Sequence, residues 1–246
     1  MASSREIRLV SHGSTSIGRV RSINEDSLLR DDHIRLYAVA DGGGGQPAGE
    51  VASELAVKEL QRFFRFYVPT AERSLATMNL ALRAVNDAIL AHARSDVRCR
   101  GMATTLTVCW IIDHRVIIGH VGDSQAFLFR GGRIRQVTVE HTVASELQGR
   151  GVGEKHPAMK TVLSHMLTKS VGPEPLHDPQ VCDLELKRGD ILLLCSDGVT
   201  RNTMVSEISQ ILRDHPLLEQ TVEELLRVAD ERGGHDNATA VIVKVL

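Results

Sequence analysis

The order in which helical and strand patterns follow one another most constrains the fold of this chain. Two consecutive amphipathic helices are predicted at about residues 47–66 and 71–93, because apolar side chains recur there every three or four positions. Strand patterns precede and follow this helix pair and do not alternate with single helices. This grouping favours a layered α+β fold over a doubly wound parallel sheet.

Short runs of aliphatic and β-branched residues predict the strands. The predicted strands cover residues 36–40, 104–112, 116–121, 125–129, 133–137, 191–195 and 239–245, with two short helices at about 203–213 and 221–232. Residues from about 138 to 178 show no periodicity and contain scattered glycines and prolines. We therefore expect residues 1–246 to form one domain with a surface flap at about 140–178.

Composition limits the classes of partner and the compartment. Hydrophobic residues make up 42% of the 246 residues and aromatic residues only 3%, so the core is expected to be aliphatic. A formal net charge of −2 gives no field that would attract nucleic acid or an anionic membrane. The N-terminus lacks a signal peptide's apolar stretch, no aliphatic run could span a bilayer, and the four cysteines form no Cys-x-x-Cys pair. We expect a cytoplasmic protein in a reducing compartment.

Acidic residues recur at the ends of predicted strands, commonly beside glycine. A carboxylate at a strand end is held by a rigid scaffold yet reaches the rim of the sheet, and an adjacent glycine lets the backbone approach an ion closely. The acidic residues of this kind are Asp41, Asp123, Asp197 and Asp236, and a further acidic pair is Glu25 and Asp26.

Convergence of these carboxylates would create a metal site. Several aspartates that met without a cation would repel one another, and their pKa values would rise. Hard divalent cations prefer oxygen ligands, and Mg²⁺ or Mn²⁺ fits an all-oxygen site. The alternative is that each aspartate only forms a turn, since Asp-Gly is a common turn pair. The spacing alone leaves both interpretations open.

Three other features bear on the chemistry. Arg21 precedes the acidic pair, where its guanidinium could clamp a phosphate bidentately, although a solvated surface arginine is the alternative. The run Gly42–Gly45 lacks the Gly-Lys-Ser/Thr ending of a phosphate-binding loop, so a tight turn beside a metal ligand explains it better. His156 is the histidine to consider as a proton donor, because it lies in the expected flap.

An ordered set of motifs resembles one known family. The chain resembles the metal-dependent type 2C serine/threonine protein phosphatases in their small bacterial stand-alone form. Each motif alone is weak, but together they keep the family's order through nearly the whole chain. The motifs are Arg21-x-x-Asn24-Glu25-Asp26, Val39-Ala40-Asp41-Gly42-x-Gly44-Gly45, Gly49-Glu50, Met102-Ala103-Thr104-Thr105, His120-Val121-Gly122-Asp123-Ser124, Leu167-Thr168, Gly189-Asp190, Cys195-Ser196-Asp197-Gly198 and Gly234-His235-Asp236-Asn237-x-Thr239.

The resemblance implies an α-β-β-α sandwich, in which helices flank two central antiparallel sheets. It implies hydrolysis of phosphoserine and phosphothreonine in proteins by a metal-activated water, with two or three Mn²⁺ or Mg²⁺ ions per chain. In this scheme Asp41 would bridge two metals and the Gly42 carbonyl would bind one of them. Asp197 and Asp236 would complete the other metal.

The remaining site residues would have supporting roles. Asp123 with Asp197 would hold a third, weaker metal. Glu25 and Asp26 would act mainly through metal-bound waters, and Arg21 would bind the substrate phosphate. The partners implied are phosphorylated proteins, the substrates of a serine/threonine kinase.

The chain departs from the family pattern at positions that are not predicted metal ligands. These departures are Gly43, Gln46, Gln125 and the run Glu140-His141-Thr142. They leave open the identity of the general acid and the contacts of the flap. Three alternative functions are a catalytically silent phosphoprotein-binding relative, a phosphatase of the same fold for a small anti-sigma-type regulator, and a two-metal nuclease.

Overall fold

The computed structural model describes residues 7–43, 48–66, 74–151 and 162–246. Its strands are β1 (Leu9–Ser16), β2 (Asp26–Asp31), β3 (Leu36–Asp41), β4 (Leu106–Ile112), β5 (Arg115–Val121), β6 (Gln125–Arg130), β7 (Arg133–Gln136), β8 (Gln180–Glu185), β9 (Ile191–Cys195) and β10 (Ala238–Val245). Its helices are α1 (Gly49–Phe66), α2 (Ser74–Ser95), α3 (Val143–Gly149), α4 (Asp197–Thr200), α5 (Val205–Asp214) and α6 (Leu218–Glu231). None of the helices in these ranges is long and apolar enough to cross a membrane.

The strands form two five-stranded sheets in which neighbouring strands run antiparallel. The strand order is β1-β10-β9-β6-β7 in one sheet and β2-β3-β4-β5-β8 in the other. The helix pair α1 and α2 lies against the second sheet, and α5 and α6 lie against the first.

Side-chain alternation along the strands divides the core into three layers. In β3, Leu36, Ala38 and Ala40 pack with α1 and α2, whereas Tyr37 and Val39 pack between the two sheets. The side chains of β9 alternate in the same way between the layer that separates the two sheets and the layer beneath α5 and α6. The layer order is therefore helix–sheet–sheet–helix, and the predicted α-β-β-α sandwich is confirmed.

Several elements differ from those that the sequence pattern predicts. β1, β2 and β8 have no counterpart among the predicted strands, because polar side chains interrupt their apolar alternation. Helix α3 lies in the segment expected to be irregular, and α4 adds a helical turn after β9. The predicted helix starts at residues 47 and 71 lie outside the described residues.

Antiparallel order brings particular strand ends to one edge of the sandwich. β3 ends where β2 begins, and β9 ends where β6 and β10 begin. The register places Asp26 opposite Asp41, so two acidic residues stand side by side on adjacent strands. This edge also carries the end of β5, next to the start of β4.

Candidate metal centre

Carboxylates from both sheets meet at this edge around a cavity of about 380 Å³. Asp41 enters from the end of β3, Asp123 from the β5–β6 connection and Asp197 from the first residue of α4. Asp236, which precedes β10, and Arg21 line the same cavity. The structure thus brings together residues that are far apart in the sequence.

Asp41 is fixed by its backbone. Its N–H donates to the Thr105 hydroxyl at 2.9 Å, and its carbonyl oxygen accepts from the Thr104 hydroxyl at 2.9 Å and the Thr105 N–H at 2.8 Å. Burial, reinforced by repulsion from neighbouring carboxylates with Asp26 foremost, raises the pKa of Asp41 well above its ordinary value. The backbone of Asp41 is therefore rigidly held, and its carboxylate is buried among other carboxylates.

Gly42 allows three chain segments to approach one another closely. A Cβ at this position would lie 2.3 Å from the Gly49 carbonyl oxygen and 2.7 Å from the Glu25 carbonyl oxygen, so no side chain fits. The Gly42 N–H donates to that Glu25 oxygen at 3.0 Å. The start of α1 and the loop before β2 consequently pack directly on the residue that follows Asp41.

Asp26 is buried between the two sheets. Its Oδ2 accepts hydrogen bonds from the Ser196 hydroxyl at 2.8 Å and the Thr239 hydroxyl at 2.6 Å. Its Oδ1 is buried and has no hydrogen-bond partner among the described residues. Burial raises the pKa of Asp26 to about 7 against the opposing effect of these hydroxyls. A buried acceptor of this kind requires a partner, and a cation or an ordered water suits it.

Asp123 and Asp197 are a second pair of buried carboxylates. Burial, followed by repulsion from Asp197, raises the pKa of Asp123 to about 8. Burial also raises the pKa of Asp197, whose Oδ1 is buried without a hydrogen-bond partner in the described part of the chain. Two adjacent carboxylates of this kind create a strong preference for a cation.

Arg21 lies against the acidic cluster. Its guanidinium is 2.9 Å from Asp236 Oδ1 and 3.6 Å from Glu25 Oε2. The side chain remains about one third exposed, so part of the guanidinium can still meet a ligand in the cavity. Glu25 thus lies beside the cluster, where it contacts Arg21.

The donor chemistry of the cluster fits hard divalent cations. The converging groups are carboxylates, and two of their buried oxygens lack partners among the described residues. As these side chains stand, no three Asp, Glu, His or Cys residues within the described ranges are grouped closely enough to hold a metal ion. Arginine guanidiniums lie against the carboxylates instead. Burial, followed by mutual repulsion of the carboxylates, raises the pKa values of Asp41 and Asp123, and a bound divalent cation would oppose both effects.

Comparison with known proteins agrees with this geometry. The family model described as protein phosphatase 2C matches residues 15–246. The chain belongs to the protein phosphatase 2C family.

Relatives of this phosphatase match over almost their whole length. The serine/threonine phosphatase Stp of Listeria monocytogenes is 32% identical over 235 residues, covering 94% of this chain and 93% of Stp. The protein phosphatase PhpP of Streptococcus pneumoniae is 33% identical over 241 residues, covering 94% of this chain and 95% of PhpP. A crystal structure of the catalytic domain of the serine/threonine protein phosphatase PstP, in complex with two manganese ions, superimposes with a TM-score of 0.86 at 32% identity, covering 98% of this chain and 99% of that one.

Two residues of this phosphatase that contact the cluster were not predicted as site residues. Arg201 ion-pairs with Asp197 and lies 3.7 Å from Asp123 Oδ2 and 3.4 Å from Asp236 Oδ2. No sequence motif indicates this arginine, because it reaches the site through the unpredicted helical turn of α4.

Asn237 is the second such residue, and it joins the two chain segments that carry Arg21 and Asp236. Its Oδ1 accepts from the Glu25 N–H at 2.8 Å, and its Nδ2 donates to the carbonyls of Ile17 at 2.9 Å and Ile23 at 3.1 Å. The signal available in the sequence was its place directly after Asp236 in the last motif. Asn237 therefore positions the loop before β2 and does not itself line the cavity.

Two of the departures from the family pattern, Gln125 and Glu140, contact each other. Gln125 Nε2 donates to Glu140 Oε1 at 2.6 Å. Thr142 caps α3 by accepting from the Ser145 N–H at 3.2 Å. Gly43 lines the cavity, whereas Gln46 and the proton-donor candidate His156 lie outside the described residues.

His141 and His165 connect the segment 140–178 to the site. The His141 N–H donates to the Gly122 carbonyl at 2.7 Å, and its Nδ1 accepts from the Gly122 N–H at 3.1 Å. Burial lowers the pKa of His141 to about 4, which agrees with a neutral ring that accepts at Nδ1. His165 lines the cavity itself.

Proposed function

We propose that this chain hydrolyses phosphoserine and phosphothreonine in proteins at the acidic edge of the sandwich, with Asp41, Asp197 and Asp236 holding two divalent cations. The activity is that of a metal-dependent serine/threonine protein phosphatase, a hydrolase of phosphomonoesters, as family membership and the relatives show. The residue roles below are our assignment.

The meeting of buried carboxylates in one cavity carries the assignment. Asp26, Asp41 and Asp123 all have raised pKa values because burial disfavours their charged forms. A protein that keeps such groups together without a cation would lose stability at neutral pH. A metal centre explains why these carboxylates meet, because a cation stabilises their charged forms, whereas turn formation would not require them to lie together.

Asp41 is suited to contact two cations, because its backbone is fixed by Thr104 and Thr105 and its carboxylate stands beside Asp26. The Gly42 carbonyl would add a further oxygen ligand. Asp197 and Asp236 would hold the other cation, and Glu25 and Asp26 would bind its waters. When bound, divalent cations lower the pKa of a shared water and neutralise charge on the phosphoryl oxygens.

Arg21 would bind the phosphate of the substrate. A guanidinium donates two parallel hydrogen bonds to a phosphate and keeps its charge at all working pH values. Its contacts with Asp236 and Glu25 hold it at the cavity. These contacts orient Arg21 toward a phosphoryl group placed among the carboxylates.

The substrates are phosphorylated proteins, and we assign them to a serine/threonine kinase of the same cell. We also propose that residues 1–246 act as one cytoplasmic catalytic domain, with residues 140–178 as a flap that contacts the protein part of the substrate. His165, Leu167 and Ser170 support this role, since they line the cavity from that segment.

Metal removal tests the proposed function. Purified protein is stripped with a chelator, and hydrolysis of para-nitrophenyl phosphate and of a phosphothreonine peptide is measured with and without MnCl₂ or MgCl₂. We expect negligible turnover in the stripped protein and recovery on addition of either cation. Full activity after exhaustive chelation would contradict the assignment.

The alternatives predicted from the sequence find less support. The relatives described above are named serine/threonine phosphatases or protein phosphatases, which favours this function over a nuclease or a phosphatase for an anti-sigma-type regulator. A catalytically silent relative is disfavoured because all four strand-end aspartates line the cavity.

A further inference from the structure

Arg201 occupies the space between the carboxylates at which the resemblance placed a third metal. Its guanidinium ion-pairs with Asp197 Oδ2 and lies 3.7 Å from Asp123 Oδ2 and 3.4 Å from Asp236 Oδ2. Asp123 and Asp197 are both buried, whereas the Arg201 side chain is about one third exposed. One cationic group of this chain therefore contacts three carboxylates of the cluster.

The backbone fixes the start of the Arg201 side chain. Arg201 follows α4, and its N–H donates to the Asp197 carbonyl at 2.7 Å, so the two residues lie one helical turn apart. α4 is held against the start of β10, since a Cβ on Gly198 would lie 1.9 Å from the Asn237 carbonyl oxygen. The contact between Arg201 and Asp197 is consequently built into the α4 turn.

The two oxygens of Asp197 have different surroundings. Oδ2 is paired with Arg201, whereas Oδ1 is buried without a hydrogen-bond partner among the described residues. This division leaves Oδ1 available to a cation while Oδ2 keeps its arginine. The two oxygens of Asp236 also have different partners. Oδ1 lies 2.9 Å from the Arg21 guanidinium, whereas Oδ2 lies 3.4 Å from the Arg201 guanidinium.

A tethered guanidinium competes strongly with a free cation. A group held on a short tether has an effective concentration of the order of millimolar or above. A metal that binds Asp123 and Asp197 must first break their contacts with Arg201, so the tethered guanidinium lowers the apparent affinity of a metal at these two carboxylates.

We propose that the Arg201 guanidinium takes the place of the third, weaker cation, so that this phosphatase binds two divalent metals and carries its third positive group in the chain. This inference rests on the proposed function, because it concerns how many metals the same cluster holds. In this inference Asp123 is an ion-pair partner of Arg201 and not a metal ligand.

Metal stoichiometry tests the inference without reference to turnover. Equilibrium dialysis against millimolar MnCl₂, followed by elemental analysis, counts the bound Mn²⁺ in the wild type, Arg201→Gln and Arg188→Gln. Arg188 is an exposed arginine and serves as the matched control. We expect two Mn²⁺ ions in the wild type and in Arg188→Gln, and three in Arg201→Gln.

Two further variants make the result specific. Adding Asp123→Asn to Arg201→Gln is expected to return the count to two, because the new site loses a carboxylate. Arg201→Lys retains a cation on the same tether and is expected to keep two. Arg201→Met keeps the aliphatic part of the side chain without its charge and is expected to bind three, so it covers the case in which Arg201→Gln folds poorly, and two ions in a folded Arg201→Met would also overturn the inference. Three Mn²⁺ ions in the wild type, or two in a folded Arg201→Gln, would overturn the inference alone. No bound Mn²⁺ in the wild type would overturn the proposed function as well.

Discussion

Two regions of this phosphatase surround the same cavity but are held in different ways. The acidic edge is built on paired strands, and Asp26 is fixed across the sheets by hydroxyls of Ser196 and Thr239. In the segment 140–178, α3 has no buried residue, and Met166 and Leu167 are 50% and 37% exposed. Both regions line the cavity, but only the first is locked by the sandwich.

The ends of that segment are nevertheless well anchored. Val171 is fully buried and exchanges two backbone hydrogen bonds with Thr104, at 2.8 Å and 3.0 Å. The Gly172 N–H donates to Asn86 Oδ1 at 2.8 Å. The difference between the two regions indicates that they have separate roles. The acidic edge holds the chemical groups at strand ends, whereas an exposed connection with fixed ends contacts the rest of the substrate.

Asp41→Asn should have the largest effect and tests the acidic edge. We expect kcat on para-nitrophenyl phosphate to fall by roughly 10³-fold or more, because a neutral amide is a poor metal ligand and transition-state charge loses its stabilisation. The fold should survive, since a neutral amide of the same size removes a buried carboxylate that neighbouring carboxylates repel. Steady-state kinetics at saturating MnCl₂ and a thermal melt provide the two measurements.

Asp87→Asn is the matched control for Asp41→Asn. Asp87 is exposed on α2, and the same chemical change there should leave kcat unaltered. Near-normal kcat in Asp41→Asn would mean that the acidic edge is not where the reaction takes place.

Arg21→Ala should have an intermediate effect. We expect kcat/KM to fall by about 10- to 100-fold, mainly through KM, because a bidentate phosphate contact is lost while the carboxylates remain. Mn²⁺ stoichiometry should not change. Arg19→Ala is the control, since Arg19 is exposed and is not among the residues lining the cavity. Loss of metal with an unchanged KM would give Arg21 a structural role instead.

The metal-free protein should become less stable as pH rises from about 6.5 to 8.5. The pKa of Asp26 is raised to about 7 and that of Asp123 to about 8, so the folded state holds protons that the unfolded state has already released. The folded state loses these protons across this window, and the free energy of unfolding falls by a few kcal/mol at most. Each kcal/mol corresponds to about 2–4 °C in Tm.

Thermal melts in chelator at pH 6.5 and 8.5 measure this effect. Asp123→Asn should flatten the dependence, because it removes a titrating group, and saturating Mn²⁺ should raise Tm most at the higher pH. A metal-free Tm that increases over the window would show that the buried carboxylates are already compensated by other groups.

The sequence predicts the acidic edge better than it predicts what surrounds it. Asp41 and Asp197 follow runs of apolar residues whose burial is plain from composition, so their strand ends could be located. β1 and β8 are half-buried strands with mixed side chains, and periodicity does not separate them from loops. Arg201 depends on a single helical turn after β9, and Asn237 on contacts between segments more than 200 residues apart, which local patterns do not encode.

Replacing residues 144–165 should have the smallest effect on the chemistry. The Val143 N–H donates to the Met166 carbonyl at 2.9 Å, so the two cut ends are adjacent and a Gly-Ser turn of about four residues can join them. We expect kcat/KM for para-nitrophenyl phosphate to stay within about threefold of wild type. For a phosphoprotein it should fall about tenfold, equivalent to a loss of about 1.4 kcal/mol of binding to the protein part of the substrate.

Point variants separate a specificity role from a structural one in the same segment. Leu167 lines the cavity, whereas Val162 is 60% exposed and is not among the lining residues. Leu167→Ala should therefore lower kcat/KM for the phosphoprotein more than for para-nitrophenyl phosphate, and Val162→Ala should change neither. Equal losses on both substrates after the 144–165 replacement, with two Mn²⁺ ions still bound, would show that this segment supports the acidic edge. In that case the two regions would form one structural unit, and substrate contacts would have to come from elsewhere on the molecule.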